Sequence, residues 1–96
     1  MLDKHTGLYG GARQCPSPNH DERPDGCEPN LIVLHNISLP PYQFGGPWID
    51  QLFTNQLNPM EHEFFATIGH LRVASHLLIR RDGEVVQYVP FHKRAF

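Results

Sequence analysis

No stretch of this 96-residue chain approaches the ~18 to 20 consecutive apolar residues of a membrane span, and its opening segment, MLDKHTGLYGG, lacks the apolar run of a secretory signal. Cysteine is scarce. Cys15 and Cys27 are the whole complement, and without a signal they are expected to stay thiols in a soluble, cytoplasmic protein. Charge of one sign is missing as well. A formal net charge of -2 and a pI near 6.3 provide no basic face of the kind nucleic acid selects. The late cations Arg80, Arg81, Lys93 and Arg94 have Asp82 and Glu84 among them, which reads as a solvated hairpin surface rather than a phosphate track. There is no G-x-S-x-G elbow, Walker loop or dinucleotide fingerprint, so serine nucleophiles and phosphate cradles have no support. Short length sets the last limit: a single small domain that buries only about 60 to 65% of its unfolded surface has a thin core.

The most informative segment present is LIVLHNISLPP. Four apolar residues in a row, Ile and Val among them, predict a strand over residues 31–35 covered on both faces. Pro40 and Pro41 forbid its continuation. His35 then stands at the strand's end, where open α/β sheets place their chemistry. Upstream, residues 7–14 read as a frayed first strand weakened by glycine, and residues 15–30 as a long polar loop. Residues 1–30 thus form a strand-and-loop arm, and residues 31–96 the body of the domain.

Downstream, residues 36–47 read as an irregular loop beside His35. Pro47 pre-sets a first helical turn, and WIDQLF predicts a short helix over Trp48–Phe53. A second helix is expected to start at Asn58-Pro59, with Asn58 as cap and Phe64, Phe65, Ile68 and Leu71 as the apolar stripe. SHLLIRR and EVVQYVP flank Asp82-Gly83, the preferred pair of a two-residue hairpin turn. That turn opposes Arg81 to Glu84, Ile79 to Val86 and Leu77 to Tyr88 on one side, with Arg80 to Val85, Leu78 to Gln87 and His76 to Val89 on the other. The fold class is α/β, a mixed sheet flanked by short helices.

Seven histidines invite a metal reading that spacing mostly refuses. An H-E-x-x-H site needs a second histidine four residues after His62, and that position is Ala66. His62 and His70, eight residues apart, would be separated by roughly 12 Å along one helix, too far to share an ion; both read as surface or helix-end residues. Cys15, His20 and Cys27 lack a C-x2-C pair and a fourth ligand. His35 remains, and on spacing alone a lone strand-end histidine is either a hydrogen-bonded structural residue or a ligand.

LIVLHNISLPP, then FGGPWIDQLF, then HLRVASHLLIRRDGEVVQYVPFHKRAF closely resemble the bacterial 1,6-anhydro-N-acetylmuramyl-L-alanine amidases, which share their catalytic fold with bacteriophage amidase-type lysozymes and peptidoglycan recognition proteins. The resemblance runs from about Gly7 to Phe96. It implies a cytosolic zinc hydrolase of cell-wall recycling that cuts the amide between the lactyl group of anhydro-muramic acid and L-alanine of the stem peptide. It makes His35 the first of two zinc histidines, and Asn36 and Arg72 residues of the muropeptide groove. A guanidinium there can hold a stem-peptide carboxylate by paired hydrogen bonds; the alternative for Arg72 is a surface residue pairing with helix-end carbonyls. His76 reads as a hairpin residue with a local hydrogen bond.

The family's water-activating glutamate, its second zinc histidine, its zinc aspartate and its oxyanion lysine lie in a later portion that has no match here. The resemblance therefore assigns no catalytic residue to this chain. The expectation is the incomplete N-terminal half of a zinc amidase or peptidoglycan recognition protein-like domain, inactive alone and left with an unpaired apolar sheet edge that invites association. A non-catalytic muropeptide-binding or regulatory module is the alternative.

Overall fold

A computed structural model describes residues 2–40 and 45–96. Among these described residues, seven short strands and two helices follow in the order β1 (Leu2–Asp3), β2 (Leu8–Tyr9), β3 (Arg13–Gln14), β4 (His20–Glu22), α1 (Trp48–Phe53), α2 (Glu63–Ile68), β5 (Leu77–Ile79), β6 (Val85–Gln87) and β7 (Lys93–Ala95). β3, β6 and β5 form a mixed three-stranded sheet in that order, while β1 pairs with β2 and β4 with β7. The mixed sheet with short flanking helices is the expected class.

Helix α1 occupies the predicted residues and ends for a reason visible in its backbone. Asn55 takes the left-handed conformation (φ 63°). The amide of Gln56 donates to the Gln51 carbonyl at 2.7 Å and that of Asn55 to Leu52 at 3.2 Å, which is the Schellman closure. Asn is among the few residues that accept this φ cheaply. The turn holds the exposed Asn55 beside the buried Asn19, to whose Oδ1 its Nδ2 donates at 3.0 Å.

Helix α2 starts four residues later than the sequence suggests, its cap at residue 62 instead of 58. Asn58 instead closes a local turn, its Oδ1 accepting from the Met60 amide at 2.9 Å. The cap is His62, whose Nδ1 accepts from the Phe64 amide at 3.0 Å. The helix-end reading of His62 holds. Of the expected stripe, Phe65 is fully buried and Phe64 and Ile68 are partly so, but Leu71 lies beyond the helix and is exposed. Phe65 packs against Trp48 of α1 with ring centroids 5.3 Å apart, and Phe53 meets Tyr88 edge-on at 4.8 Å. These contacts centre the core, with Val86 and Val89 fully buried beside them.

The hairpin forms, in a register one residue away from the predicted one. Leu77 opposes Gln87, Leu78 opposes Val86 and Ile79 opposes Val85. The Arg80 amide donates to Glu84 at 2.8 Å and the Gly83 amide to Arg80 at 3.0 Å, so the loop is three residues, 81–83, closed by Gly83 at φ 91°. Three-residue hairpins of this kind need a left-handed last residue, which glycine supplies. A one-residue slip exchanges faces: Leu78, not Ile79, joins Val86 at the core, and Ile79 is left 70% exposed.

The N-terminal arm is more ordered than its composition suggests. β3 adds parallel to β6, Arg13 beside Val86 and Gln14 beside Gln87. Gln87 is buried with its amide satisfied: Oε1 accepts from the Tyr9 amide at 2.8 Å and Nε2 donates to the carbonyls of Gly7 and Val89 at 3.0 and 3.1 Å. Inside the expected polar loop, β4 pairs antiparallel with β7, Asp21 opposite Arg94 and Glu22 opposite Lys93. Both pairs are ion pairs. Half of the late basic cluster is thereby matched by carboxylates. No apolar alternation betrays this pairing, since its cross-strand partners are charges.

Arg94 holds the Asp21 carboxyl below its ordinary range and Lys93 does the same for Glu22. A lowered folded value means that the stabilisation is present above the unfolded carboxylate range near pH 4 and is lost as pH falls through the folded values. The side chains are exposed, so salt should blunt the effect. Acid unfolding followed at 10 mM and 500 mM salt should show a steeper loss below about pH 4 in the dilute buffer; superimposable curves would deny these pairs a role.

The predicted strand over residues 31–35 is not formed. The segment lies outside any helix or strand, and Leu31, Ile32, Val33 and Leu34 are 79, 85, 72 and 88% exposed. Among the described residues no backbone hydrogen bond reaches residues 31–35. A strand exists only by pairing, so the correction has a simple cause: the partner is not among these residues. Leu39 and Pro40, joined by a cis peptide, are buried and anchor the downstream end. Pro41, the second half of the predicted stop, lies outside the described residues, as does much of the loop over 36–47.

Candidate functional site

His35 stands exposed, next to an equally exposed Asn36, four residues before the buried Leu39. Neither side chain has a hydrogen-bond partner among the described residues. The reading of His35 as a structural, hydrogen-bonded core residue therefore finds no geometry to support it. From Asn36 the chain descends into the body through Ile37, which packs on the core. A shallow cleft lies beside it, walled by Ile37, Ile49 of α1 and Leu78 and Arg80 of the hairpin.

The cleft's rim is held by polar contacts. Arg80 Nη2 donates to the Gly46 carbonyl at 2.7 Å, and its Nε lies 3.7 Å from Glu84. Gly45 and Gly46 both take positive φ, 87° and 76°, a conformation glycine alone adopts without strain. They bring the chain into Pro47 and α1 at the angle that lets Arg80 reach across.

Arg72 lies in the connection after α2, exposed, with Nη1 donating to the carbonyls of His70 and Leu71 at 3.2 and 3.3 Å. Both carbonyls lie beyond Gly69, the C-cap of α2, so the contact is local to the connection rather than a pairing with the helix end. Among the described residues no hydrogen bond or ion pair links His35, Asn36 and Arg72 to one another. His76 is tied more strongly than a hairpin residue needs: its Nε2 lies 2.8 Å from the Lys93 carbonyl and its ring stacks on Phe91 at 6.0 Å.

Metal-ligating side chains do not cluster. Among the described residues no group of three His, Cys, Asp or Glu could hold an ion. Cys15 and Cys27 are free thiols, and burial raises the Cys15 thiol above its ordinary value. His20, the third member of the loop set, is committed to β4, its Nδ1 buried without a partner.

Two networks were not legible in the sequence. Tyr88 donates to Asp50 Oδ1 at 2.6 Å, and Arg13 reaches Asp50 Oδ2 at 2.9 Å and Glu84 at 3.4 Å. Burial first, then Asp50, raise the Tyr88 hydroxyl far above its ordinary value, so it remains a donor throughout the working range. The second network centres on Asn19, 3% exposed. Its Nδ2 lies 2.8 Å from the Val73 carbonyl, 2.8 Å from Asn55 Oδ1 and 3.1 Å from the Phe53 carbonyl. Ser17 Oγ donates to that same Phe53 carbonyl and accepts from the Asn19 amide at 3.0 Å. The first network reaches the cleft's rim through Glu84, which also faces Arg80; the second ties the N-terminal arm to α1 and to the connection after α2.

Comparison with known proteins follows the same outline. A family model described as N-acetylmuramoyl-L-alanine amidase matches residues 25–96. The chain is 66% identical over 90 residues to the 1,6-anhydro-N-acetylmuramyl-L-alanine amidase AmpD of Escherichia coli (strain K12), covering 94% of this chain and 49% of that protein. It is 62% identical over all 96 residues to AmpD of Citrobacter freundii, covering 50% of that protein. Among solved structures, the crystal structure of a Se-Met AmpD derivative superposes with a TM-score of 0.94 at 60% identity, over 100% of this chain and 52% of that one. The solution structure of Citrobacter freundii AmpD superposes at 0.58 over the same whole chain. The chain spans about half the length of the relatives it matches. By sequence and by backbone, it belongs to the N-acetylmuramoyl-L-alanine amidase family.

Proposed function

We propose that this polypeptide is the first half of a zinc-dependent amidase that hydrolyses the bond between the lactyl group of an anhydro-muropeptide and the L-alanine of its stem peptide, in cytoplasmic cell-wall recycling. The observation carrying the reading is the 62% identity, sustained over all 96 residues, with a protein named for that activity. In this reading His35 is one metal ligand. Asn36 offers an amide to the muropeptide beside it, and Arg72 exchanges its two backbone carbonyls for a stem-peptide carboxylate. A carboxylate taken by both guanidinium nitrogens in parallel adds a geometric specificity that two neighbouring backbone carbonyls do not provide.

The residues described do not by themselves make a zinc site. Catalytic zinc takes three protein ligands and keeps one position open, and His35 is a single donor with no second or third beside it. No step of the reaction is assigned to this chain on its own. What the chain's residues do is positional: His35 and Asn36 present an imidazole and an amide to solvent, on a segment held by the buried Leu39.

The test is release of stem peptide from anhydro-muropeptide in the presence of zinc. The 96-residue chain alone should release nothing measurable. The chain joined to the remaining half of the Citrobacter freundii relative should release it, and intact peptidoglycan should be the poorer substrate. Calorimetric binding of muropeptide to the joined protein without release would favour a muropeptide-binding or regulatory module instead.

A further inference from the structure

We propose that Asp25-Gly26 is a covalent modification site of the folded chain, where the aspartyl linkage rearranges through a cyclic imide to isoaspartate, while the same dipeptide at Asp82-Gly83 is held unreactive. The chain contains this pair twice, and the hairpin uses only the second. The rearrangement needs a side-chain carboxyl free to turn back on the main chain and a following amide nitrogen free to meet it. Glycine in second place leaves the approach open, since it carries no Cβ.

Exposure does not distinguish the two sites. Asp25, Gly26, Asp82 and Gly83 all face solvent. Both glycines have positive φ, 75° and 91°, and beyond their chain neighbours no atom lies within 4 Å of where a Cβ would stand on either. Hydrogen bonding separates them. At the hairpin the Gly83 amide donates to the Arg80 carbonyl at 3.0 Å, and Asp82 Oδ1 accepts from the Glu84 amide at 2.9 Å. Both reacting groups are engaged there, inside a loop that the Arg80 amide clamps to the Glu84 carbonyl at 2.8 Å. In the turn over residues 24–27 the Cys27 amide donates to the Pro24 carbonyl at 3.0 Å. That bond closes the bend around the pair and leaves both reacting groups out of it: among the described residues neither the Gly26 amide nor the Asp25 carboxyl has a hydrogen-bond partner.

The step is balanced without a co-reactant. The Gly26 nitrogen bonds to Asp25 Cγ, the carboxyl hydroxyl leaves with the amide proton as water, and a succinimide ring results. Water then opens the ring. Attack at Cγ restores aspartate, whereas attack at the α-carbonyl leaves the main chain running through Cγ, with the α-carboxylate as a side group. One water is lost and one regained, and nothing is oxidised or reduced. The product adds a methylene to the main chain between β4, ion-paired to β7, and the segment that bears His35. Its displaced carboxylate is the group that an isoaspartyl-specific methyltransferase esterifies.

Ageing the 96-residue chain for weeks in warm, weakly acidic buffer tests this. Peptide mapping by mass spectrometry reads the imide as a peptide lighter by one water, and methyl uptake from an isoaspartyl-specific methyltransferase reads the product. Modification should accumulate at position 25 at least about tenfold faster than at position 82, where two hydrogen bonds must open before attack. Aged in urea past the unfolding midpoint, the two positions should react at comparable rates, because the fold and not the dipeptide makes the difference. Asp25→Glu, whose longer side chain closes a less favourable ring, should abolish the product at 25 and leave that at 82 unchanged. Equal rates in buffer, faster reaction at 82, or a preference of the same size that persists in urea would each overturn the inference. Hydrolysis of muropeptide enters none of these readouts, so the proposed activity and this site stand or fall separately.

Discussion

Substituting His35 by alanine in the completed amidase should lower release of stem peptide by about a thousandfold or more, since a metal that loses one of three ligands loses its hold on bound water as well. The same substitution should leave the thermal transition of the 96-residue chain where it is, because the imidazole is exposed and bonded to none of the described residues. The contrast is the useful part. A structural histidine would move the transition and spare the activity; a ligand does the reverse. Zinc content measured alongside should fall with activity. Full activity and full zinc in the variant would remove His35 from the site.

The second large effect concerns folding. Asn19→Leu keeps the volume of the side chain roughly constant and deletes its polar atoms, leaving the Val73 carbonyl without its side-chain donor, while the exposed Asn55 can turn to water. A buried polar group left unsatisfied costs about 1–3 kcal/mol, so the variant should lose about 1–3 kcal/mol. That is a large fraction of the roughly 5 to 15 kcal/mol that holds a domain together. The urea midpoint should fall with an unchanged slope. Asn55→Gly, which keeps the left-handed turn and deletes only the shared side chain, should cost less. A loss under about 1 kcal/mol for Asn19→Leu would show that solvent reaches the site.

These two residues also mark how far the sequence could be read. Helix α1 was legible to the residue, because Pro47 and the spacing of Trp48, Ile49, Leu52 and Phe53 are local signals. The hairpin was legible in place but not in register. Asp82-Gly83 satisfies two turn types, and only the left-handed Gly83 with Arg81 drawn into the loop decides between them. Helix α2 was over-extended since Asn58 is as good a turn former as a cap, and His62 took the cap instead. The pairing of β4 with β7 was invisible: its partners are 71 to 75 residues apart, and two of the three pairs are charged. Asn19 sits in a stretch whose composition reads as loop, and nothing local tells a solvated asparagine from a buried one. The apolar run 31–34 was read as a covered strand, and cover is a property of neighbours that the described residues do not supply. Family membership was legible because it depends on residue order and not on any of these geometries.

The stitching of the arm to the hairpin carries a consequence for how the molecule is made. Cys15 donates its amide to Gln87, Ser17 to Tyr88 and Phe91 to Gly7, while Phe96 donates to Asn19. Translation delivers the first members of these pairs some seventy residues before the second. The arm therefore leaves the ribosome with nothing to grip, and closure waits until residues 84–96 have cleared the exit tunnel. Contacts so distant along the chain are slow to form, and the LIVL run stays bare throughout that wait.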